Sequence, residues 1–213
     1  MKLKNSSDQA VLQRNDQFLT RFVEAHQICP FARSCRENGR LQRQIVRGDL
    51  PKLQQDLLQA MVGYQDSEAT GPEVVLLICP EFMGTYSEFE RLVRAAHEQW
   101  RTAVAGQPIF YAVAFHRDLP FGAGSPQRLV GFWRHTPDPT VQLVRVATLL
   151  ALRDHDGEPI HYVDPRNPAD LASLAKARPT LSERIALANL QLYTAHGEAL
   201  QRVQREILDL PRD

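Results

Sequence analysis

Two uninterrupted apolar runs constrain this chain more than any other feature. Val74-Val75-Leu76-Leu77-Ile78-Cys79 is stopped by Pro80, and Ile109-Phe110-Tyr111-Ala112-Val113-Ala114-Phe115-His116 is entered through Gly106-Gln107-Pro108. Short apolar runs bounded by turn residues read as strands buried on both faces. Between them, residues 87–104 place Phe89, Leu92, Val93, Ala96 and Trp100 on one face of a helix. Upstream, Leu41 to Arg47 reads as a further strand, and residues 51–64 as a helix carrying Leu53, Leu57, Leu58 and Met61 at helical spacing. Strand and helix therefore alternate, the order that short right-handed crossovers turn into a layered sheet. The expectation is an α/β or α+β fold: one compact domain with a small central sheet of three to four strands packed by helices, plus C-terminal helices.

Composition agrees. The chain has 213 residues, 43% hydrophobic and 23% charged, enough for a sizeable core and too apolar for a disordered chain. Twenty-five basic residues balance 25 acidic ones, so no global field favours nucleic acid or an anionic membrane. The basic side is 21 Arg against 4 Lys, a bias that suits anion pairing. No run approaches the roughly 18 apolar residues of a membrane span, and Met1 to Gln13 lacks the apolar core of a secretion signal. A cytoplasmic location is expected. Cys29, Cys35 and Cys79 are an odd count without repeated spacing, so reduced thiols are expected too.

Residues 8–27 form an amphipathic helix through Val11, Phe18, Leu19, Phe22 and Val23. Pro30 suits the first turn of a short second helix, with Cys29 as its N-cap and Asn38-Gly39 as its stop. Residues 117–140, rich in Pro and Gly and containing Phe121, Phe132 and Trp133, read as a long irregular stretch that covers a site. Asp138-Pro139 then caps a helix over 140–153, apolar almost all round. Gly157-Glu158-Pro159 and Asp164-Pro165 bracket a short strand candidate, Ile160 to Val163, and residues 169–210 are helical. This divides the chain into a core at 1–155 and a mainly helical extension at 156–213.

Three residues stand out chemically. Cys29, at a helix start with Arg33 one turn on, is placed where dipole and charge favour thiolate; the alternative is an ordinary buried thiol. Cys35 lies off the face of Cys29, so a C-x-x-C redox pair is absent. His116 ends a buried strand before the long loop, where α/β sheets present reactive groups, or is a satisfied structural imidazole. Arg145, embedded in Val141 to Leu150, needs a carboxylate, phosphate or backbone partner, and is either half of an internal ion pair or an anion clamp. His26 precedes Cys29 by three residues, a weak metal spacing. His135, His155 and His161 lie near turns and read as solvated.

The Cys29-Pro30-Phe31-Ala32 segment, the strand ending in Phe115-His116, the Pro137-Asp138-Pro139 turn and Leu143-Val144-Arg145 together resemble the bacterial family catalogued as domain of unknown function 1415, over roughly residues 10–155. The resemblance implies a compact cytoplasmic domain with a cysteine, a histidine and an arginine as hallmarks, and brings no reaction with it. Two departures bear on its chemistry. The family pattern reads His-Leu-Leu-Arg-Glu where this chain has Gln142 and Val146, and continues from its strand His into Pro where this chain has Arg117.

Three readings follow. The first is a cytoplasmic enzyme for a small anionic substrate, with a Cys29 thiolate, a His116 acid/base, and Arg145, Arg33 and Trp133 as substrate contacts. The second is a haem or transition-metal protein using His26, Cys29 and His116, prompted by the Cys-Pro pairs at Cys29 and Cys79. The third is a non-catalytic accessory or partner-binding protein. A homodimer through the C-terminal helices is a separate expectation.

Overall fold

The computed structural model describes residues 6–29, 31–67, 70–104, 106–153 and 181–211. Its core is a four-stranded sheet of β1 (Leu41–Ile45), β2 (Val74–Ile78), β3 (Phe110–Phe115) and β4 (Thr140–Arg145), in the order β1-β2-β4-β3. β1 and β2 run parallel, with Leu41 opposite Val74, joined by helix α3 (Leu50–Gly63). β2 and β3 are also parallel, connected through α4 (Tyr86–Ala103), but β4 is inserted between them antiparallel to both. The fold is mixed α/β, with helices on both faces of the sheet and a C-terminal helix packed on the core.

Local chemistry starts these helices where the chain needs them. Asp49 caps α3 by accepting the Lys52 N–H, with Pro51 in the first turn. Thr85 and Glu88 form a reciprocal capping box on α4. Ser125 caps α5 (Pro126–Trp133), which lies inside the stretch expected to be irregular. Ser-Pro before an apolar segment supplies a cap and a preset φ, and these outweigh the Pro and Gly content around it. Gly131 is required in α5, because a Cβ there would meet the Pro120 carbonyl oxygen at 2.1 Å.

The largest correction concerns residues 140–153. They are not one helix: Thr140–Arg145 is β4, and only Val146–Arg153 is helical, as α6. A strand in the middle of a sheet is covered on both faces, so its apolar residues lose the alternation that distinguishes strand from helix. Asp138 is no cap either. It takes a bidentate ion pair from Arg14, Nε–Oδ2 2.9 Å and NH2–Oδ1 3.1 Å, both side chains buried. This pair ties α1 (Ser6–Gln17) to the entrance of β4. Cys29 does not cap α2 (Ala32–Glu37) either; Phe31 holds that position, after a turn in which Ala32 N–H bonds the Cys29 carbonyl. His135 is buried rather than solvated, between Gln204 Oε1 at 3.1 Å and the Leu119 carbonyl at 2.7 Å. The strand candidate at 160–163, His155 and His161 lie outside the described residues. Of the helix expected over 169–210, the described part is α7 (Leu181–Leu208), kinked at His196, and residues 169–180 lie outside the described residues.

On one face of the sheet, α3 and α4 close over Val75, Leu77, Val141 and Leu143 with Leu57, Met61, Phe89 and Trp100. On the other, Leu76 and Ile78 meet Val11, Phe18 and Phe22 of the first helix, Leu129 and Phe132 of α5, and Leu200 and Ile207 of α7.

Candidate functional site

The second face does not close completely. A cavity of about 330 Å³ lies between the sheet and the first helix, at the lower end of the ~300–1,000 Å³ that small-molecule sites occupy. Its walls are mostly apolar: Phe18, Leu19, Val23, Ile28, Leu76, Val144, Phe115 and Trp133. The first helix opens into a π-helical segment, Phe18–Glu24, as it passes the cavity, with Ala25 N–H reaching back to the Thr20 carbonyl at 3.1 Å and Ile28 N–H to Val23 at 3.0 Å. Such wide turns are rare and recur at functional sites. The segment ends at Gln27, whose φ of 53° is uncommon for a residue with a side chain and turns the backbone toward Cys29. Asn189 of α7, which also lines the cavity, holds that turn by donating to the Ile28 carbonyl at 3.0 Å.

Two carboxamides on the wall, Asn15 and Gln142, are incompletely partnered among the described residues. Asn15 is 3% exposed, and its Oδ1 is buried without a hydrogen-bond partner among the described residues. Gln142 projects from the middle of β4 into the same cavity, and no hydrogen bond engages its amide among the described residues. Thr140 lines the cavity too, its hydroxyl donating to the Asp138 carbonyl at 2.9 Å. Arg134 borders the cavity at the end of β3, its guanidinium 5.9 Å from the Phe115 ring centre. Burial lowers its pKa from the ordinary arginine value, partly offset by the hydroxyls of Tyr111 and Tyr86.

Among the residues singled out from sequence, Cys29 and Trp133 meet at this cavity. Cys29 is exposed on its outer side, but desolvation at the rim raises its pKa above the ordinary thiol value, against the N–H groups of Phe31 and Ala32, which hydrogen-bond the sulfur and lower it. The resting form is therefore the thiol. Cys35 lines the cavity as well, buried and pushed up to about 11 by burial and by the charge of Glu73. Arg33 is exposed and lies 3.7 Å from Glu24, which Arg36 holds more closely at 2.7 Å. His26 rests edge-on against Phe22, its pKa lowered by burial and then by His196.

His116 and Arg145 belong to the opposite face. His116 is 2% exposed among Phe82, Tyr86 and Phe89; its Nδ1 accepts the Asp118 N–H at 3.2 Å and its Nε2 faces the Gly84 carbonyl at 3.2 Å. That assigns the proton to Nε2 and meets both ring nitrogens with backbone groups, with the Asp118 carboxylate 3.8 Å from Nδ1. The Arg145 guanidinium donates twice to the Pro72 carbonyl, at 3.0 and 3.1 Å, and lies 4.9 Å from the Phe110 ring centre. Arg145 pairs with Phe110 at the start of β3 whereas His116 follows its end, a separation of about 20 Å at ~3.3 Å per residue. The three residues do not share a cleft. The two family departures also separate: Gln142 lines the cavity, and Val146 begins α6 with its N–H on the Ile109 carbonyl.

Sequence reasoning missed Asn15 and Arg134, and noticed Gln142 only as a departure. The available signal was a polar side chain inside an apolar run, the argument applied to Arg145 and equally valid for Gln142 two residues earlier. Among the described residues, no group of three or more His, Cys, Asp or Glu side chains gathers as a metal ion requires, and no helix is long and apolar enough to cross a membrane. No curated protein and no solved structure matches the chain. A family model does: the chain belongs to the family described as protein of unknown function (DUF1415), which matches residues 10–179.

Proposed function

We propose that the chain binds one small, largely apolar carboxylic acid in the cavity beside the π-helical segment. The observation that carries this reading is the Asn15 Oδ1, buried at the wall without a hydrogen-bond partner among the described residues, in a cavity that the Gln142 amide also lines without one. A buried polar group without a partner costs about 1–3 kcal/mol, and a ligand that supplies the partner recovers part of it. A carboxylate head fits this set once the Asn15 amide turns over, a rotation that no hydrogen bond among the described residues opposes: it then accepts from two carboxamide N–H groups and from the Arg134 guanidinium. The aromatic and branched side chains around it suit a ring or branched aliphatic body of modest size. Arg134 thus takes the anion-binding role that the sequence suggested for Arg145. Cys29 stands at the rim as a resting thiol, and a carboxylate carries no leaving group for it to displace, so the activity is binding.

The reading is tested by thermal melts of the purified protein with benzoate, phenylacetate, indole-3-acetate and isovalerate at millimolar concentration, each beside its neutral primary amide. At least one acid is expected to raise the Tm by linkage, its amide less, and Gln142→Leu to abolish the rise. No rise with any acid, or equal rises with acid and amide, would sink it.

A further inference from the structure

β3 is an edge strand, and its hydrogen-bonding phase can be read directly. Val146 N–H bonds the carbonyl of Ile109, its opposite number in the β3–β4 register, at 2.8 Å. Hydrogen-bonded pairs alternate along an antiparallel ladder, so Tyr111, Val113 and Phe115 face β4 with their backbone groups, and Phe110, Ala112 and Ala114 turn theirs outward. The next outward residue, His116, donates its N–H to the Arg134 carbonyl at 3.1 Å. The end of α5 thus supplies one rung of a missing strand, and among the described residues nothing takes the rungs before it.

Beside this edge runs a cleft of about 270 Å³, walled by Ala112 and Ala114 on one side and by Tyr86, Glu90, Arg94 and His97 of α4 on the other. The two alanines keep it open, since larger side chains there would fill the space against α4. Arg134 sits in its end and forms no ion pair among the described residues. Glu90 is engaged by the Tyr86 hydroxyl and by Arg94 at 3.6 Å, which leaves the cleft with excess positive charge. An edge strand beside a helix, with a cation at one end, is the arrangement that captures an extended peptide by strand addition.

We infer that the outer edge of β3 docks an extended peptide segment, pairing with Ala112 and Ala114 and seating a peptide carboxylate on Arg134. Its main-chain groups take the open rungs, and the charge selects an acidic side chain or a free carboxyl terminus. This site lies outside the cavity and shares only Arg134 with it.

The test pans the full chain against a random decapeptide library displayed with free carboxyl termini, then measures synthetic copies of enriched sequences. Enriched peptides are expected to carry an acidic group at a fixed position. At saturation they should slow hydrogen exchange at the Ala112 and Ala114 amides at least tenfold, and Arg134→Gln should weaken them about tenfold, as losing one charge-assisted contact implies. Ala112→Pro, which removes one outward N–H, should abolish binding, and the exchange measurement on the unaltered chain stands if that variant fails to fold. The inference is overturned if nothing is enriched, if enriched peptides leave both amides unprotected, or if they bind Arg134→Gln equally well. It is also overturned if the free chain is a dimer whose Ala112 and Ala114 amides are already protected, since a second copy then occupies the edge.

Discussion

The helices on the two sides of the sheet fill their space differently. α3 and α4 bring Leu57, Met61, Phe89, Ala96 and Trp100, each fully buried, onto Val75, Leu77, Val141 and Leu143; His116 is matched to Asp118 and Gly84 and Arg145 to Pro72, and the Trp100 Nε1 is buried without a hydrogen-bond partner among the described residues. The first helix, α5 and α7 cover the other side through Phe18, Phe22 and Phe132, yet leave a cavity and an orphan amide. The same sheet thus supports one face whose residues are committed to stability and one with capacity left over. In a chain whose margin of stability is typically about 5–15 kcal/mol, the dry face can carry the fold while the other gives up some packing.

Paired truncations put that contrast at risk most severely. Phe89→Ala empties a site 5.0 Å from the Phe82 ring and should cost about 3–5 kcal/mol, while any Tm rise caused by a ligand persists. Trp133→Ala, at the cavity wall and 9% exposed, should cost less and remove that rise. Denaturant melts with and without the acid ligands decide it, and equal costs or equal ligand responses would break the distinction between the faces.

Arg145→Met sharpens it further. Methionine leaves the Pro72 carbonyl without two donors and Phe110 without its cation, a loss of roughly 1–3 kcal/mol. The ligand-induced shift should match that of the unaltered chain. If instead the shift vanished, Arg145 would be coupled to the ligand across the sheet, and the faces would not be independent.

The sequence exposed the dry face better than the wet one, for a physical reason. α3 and α4 each bury one stripe, so Leu53, Leu57 and Met61, or Phe89, Val93 and Trp100, stand out at helical spacing. β4 is covered on both sides, and Val141-Gln142-Leu143-Val144-Arg145 then carries no periodicity that separates strand from helix. Reading it as a helix placed Arg145 beside Gln142 on a single surface, whereas strand alternation sends Arg145 to one side and leaves Gln142 lining the cavity on the other. The error in secondary structure therefore became an error in the site. Cys29 and Trp133 were found because a turn before a helix and an aromatic in a loop-rich stretch are local signals. Asn15 sits among Arg14, Asp16 and Gln17 on a helix with many polar residues, and nothing local marks it as inward.

Asn15→Leu tests whether the spare capacity is real. Leucine fills similar space without an unpaired oxygen, so the unliganded chain should gain about 1–2 kcal/mol. The same change should remove the response to carboxylic acids, a gain in stability at the expense of binding. Equilibrium urea unfolding measures the first effect and the acid-dependent Tm the second. A loss of stability would mean that the Asn15 amide has a partner in solution.

The smallest effect concerns the three thiols, which divide between the faces and need no change in stability to be read. Cys29 and Cys35 line the cavity, and Cys79 is wholly buried in the dry face, where burial pushes its thiol far up. Iodoacetamide reacts with thiolate, so rates should fall in the order Cys29, Cys35, Cys79. The sign of the pH dependence follows from the direction of the Cys29 shift. A thiol held above its ordinary value is protonated at neutral pH, so its labelling should climb close to tenfold per pH unit through about pH 7–8.5 and show no plateau by ~8.5, where an unperturbed thiol is half ionised. Cys35, at about 11, should lag at every pH. An acid bound in the cavity should slow Cys29 and leave the rate at Cys79 unchanged. Peptide mass spectrometry across a pH series gives each rate separately. A plateau below pH 7 would show that the N–H groups of Phe31 and Ala32 outweigh desolvation and hold Cys29 as thiolate, whereas ligand protection of Cys79 together with Cys29 would show that the cavity and the dry core open as one unit.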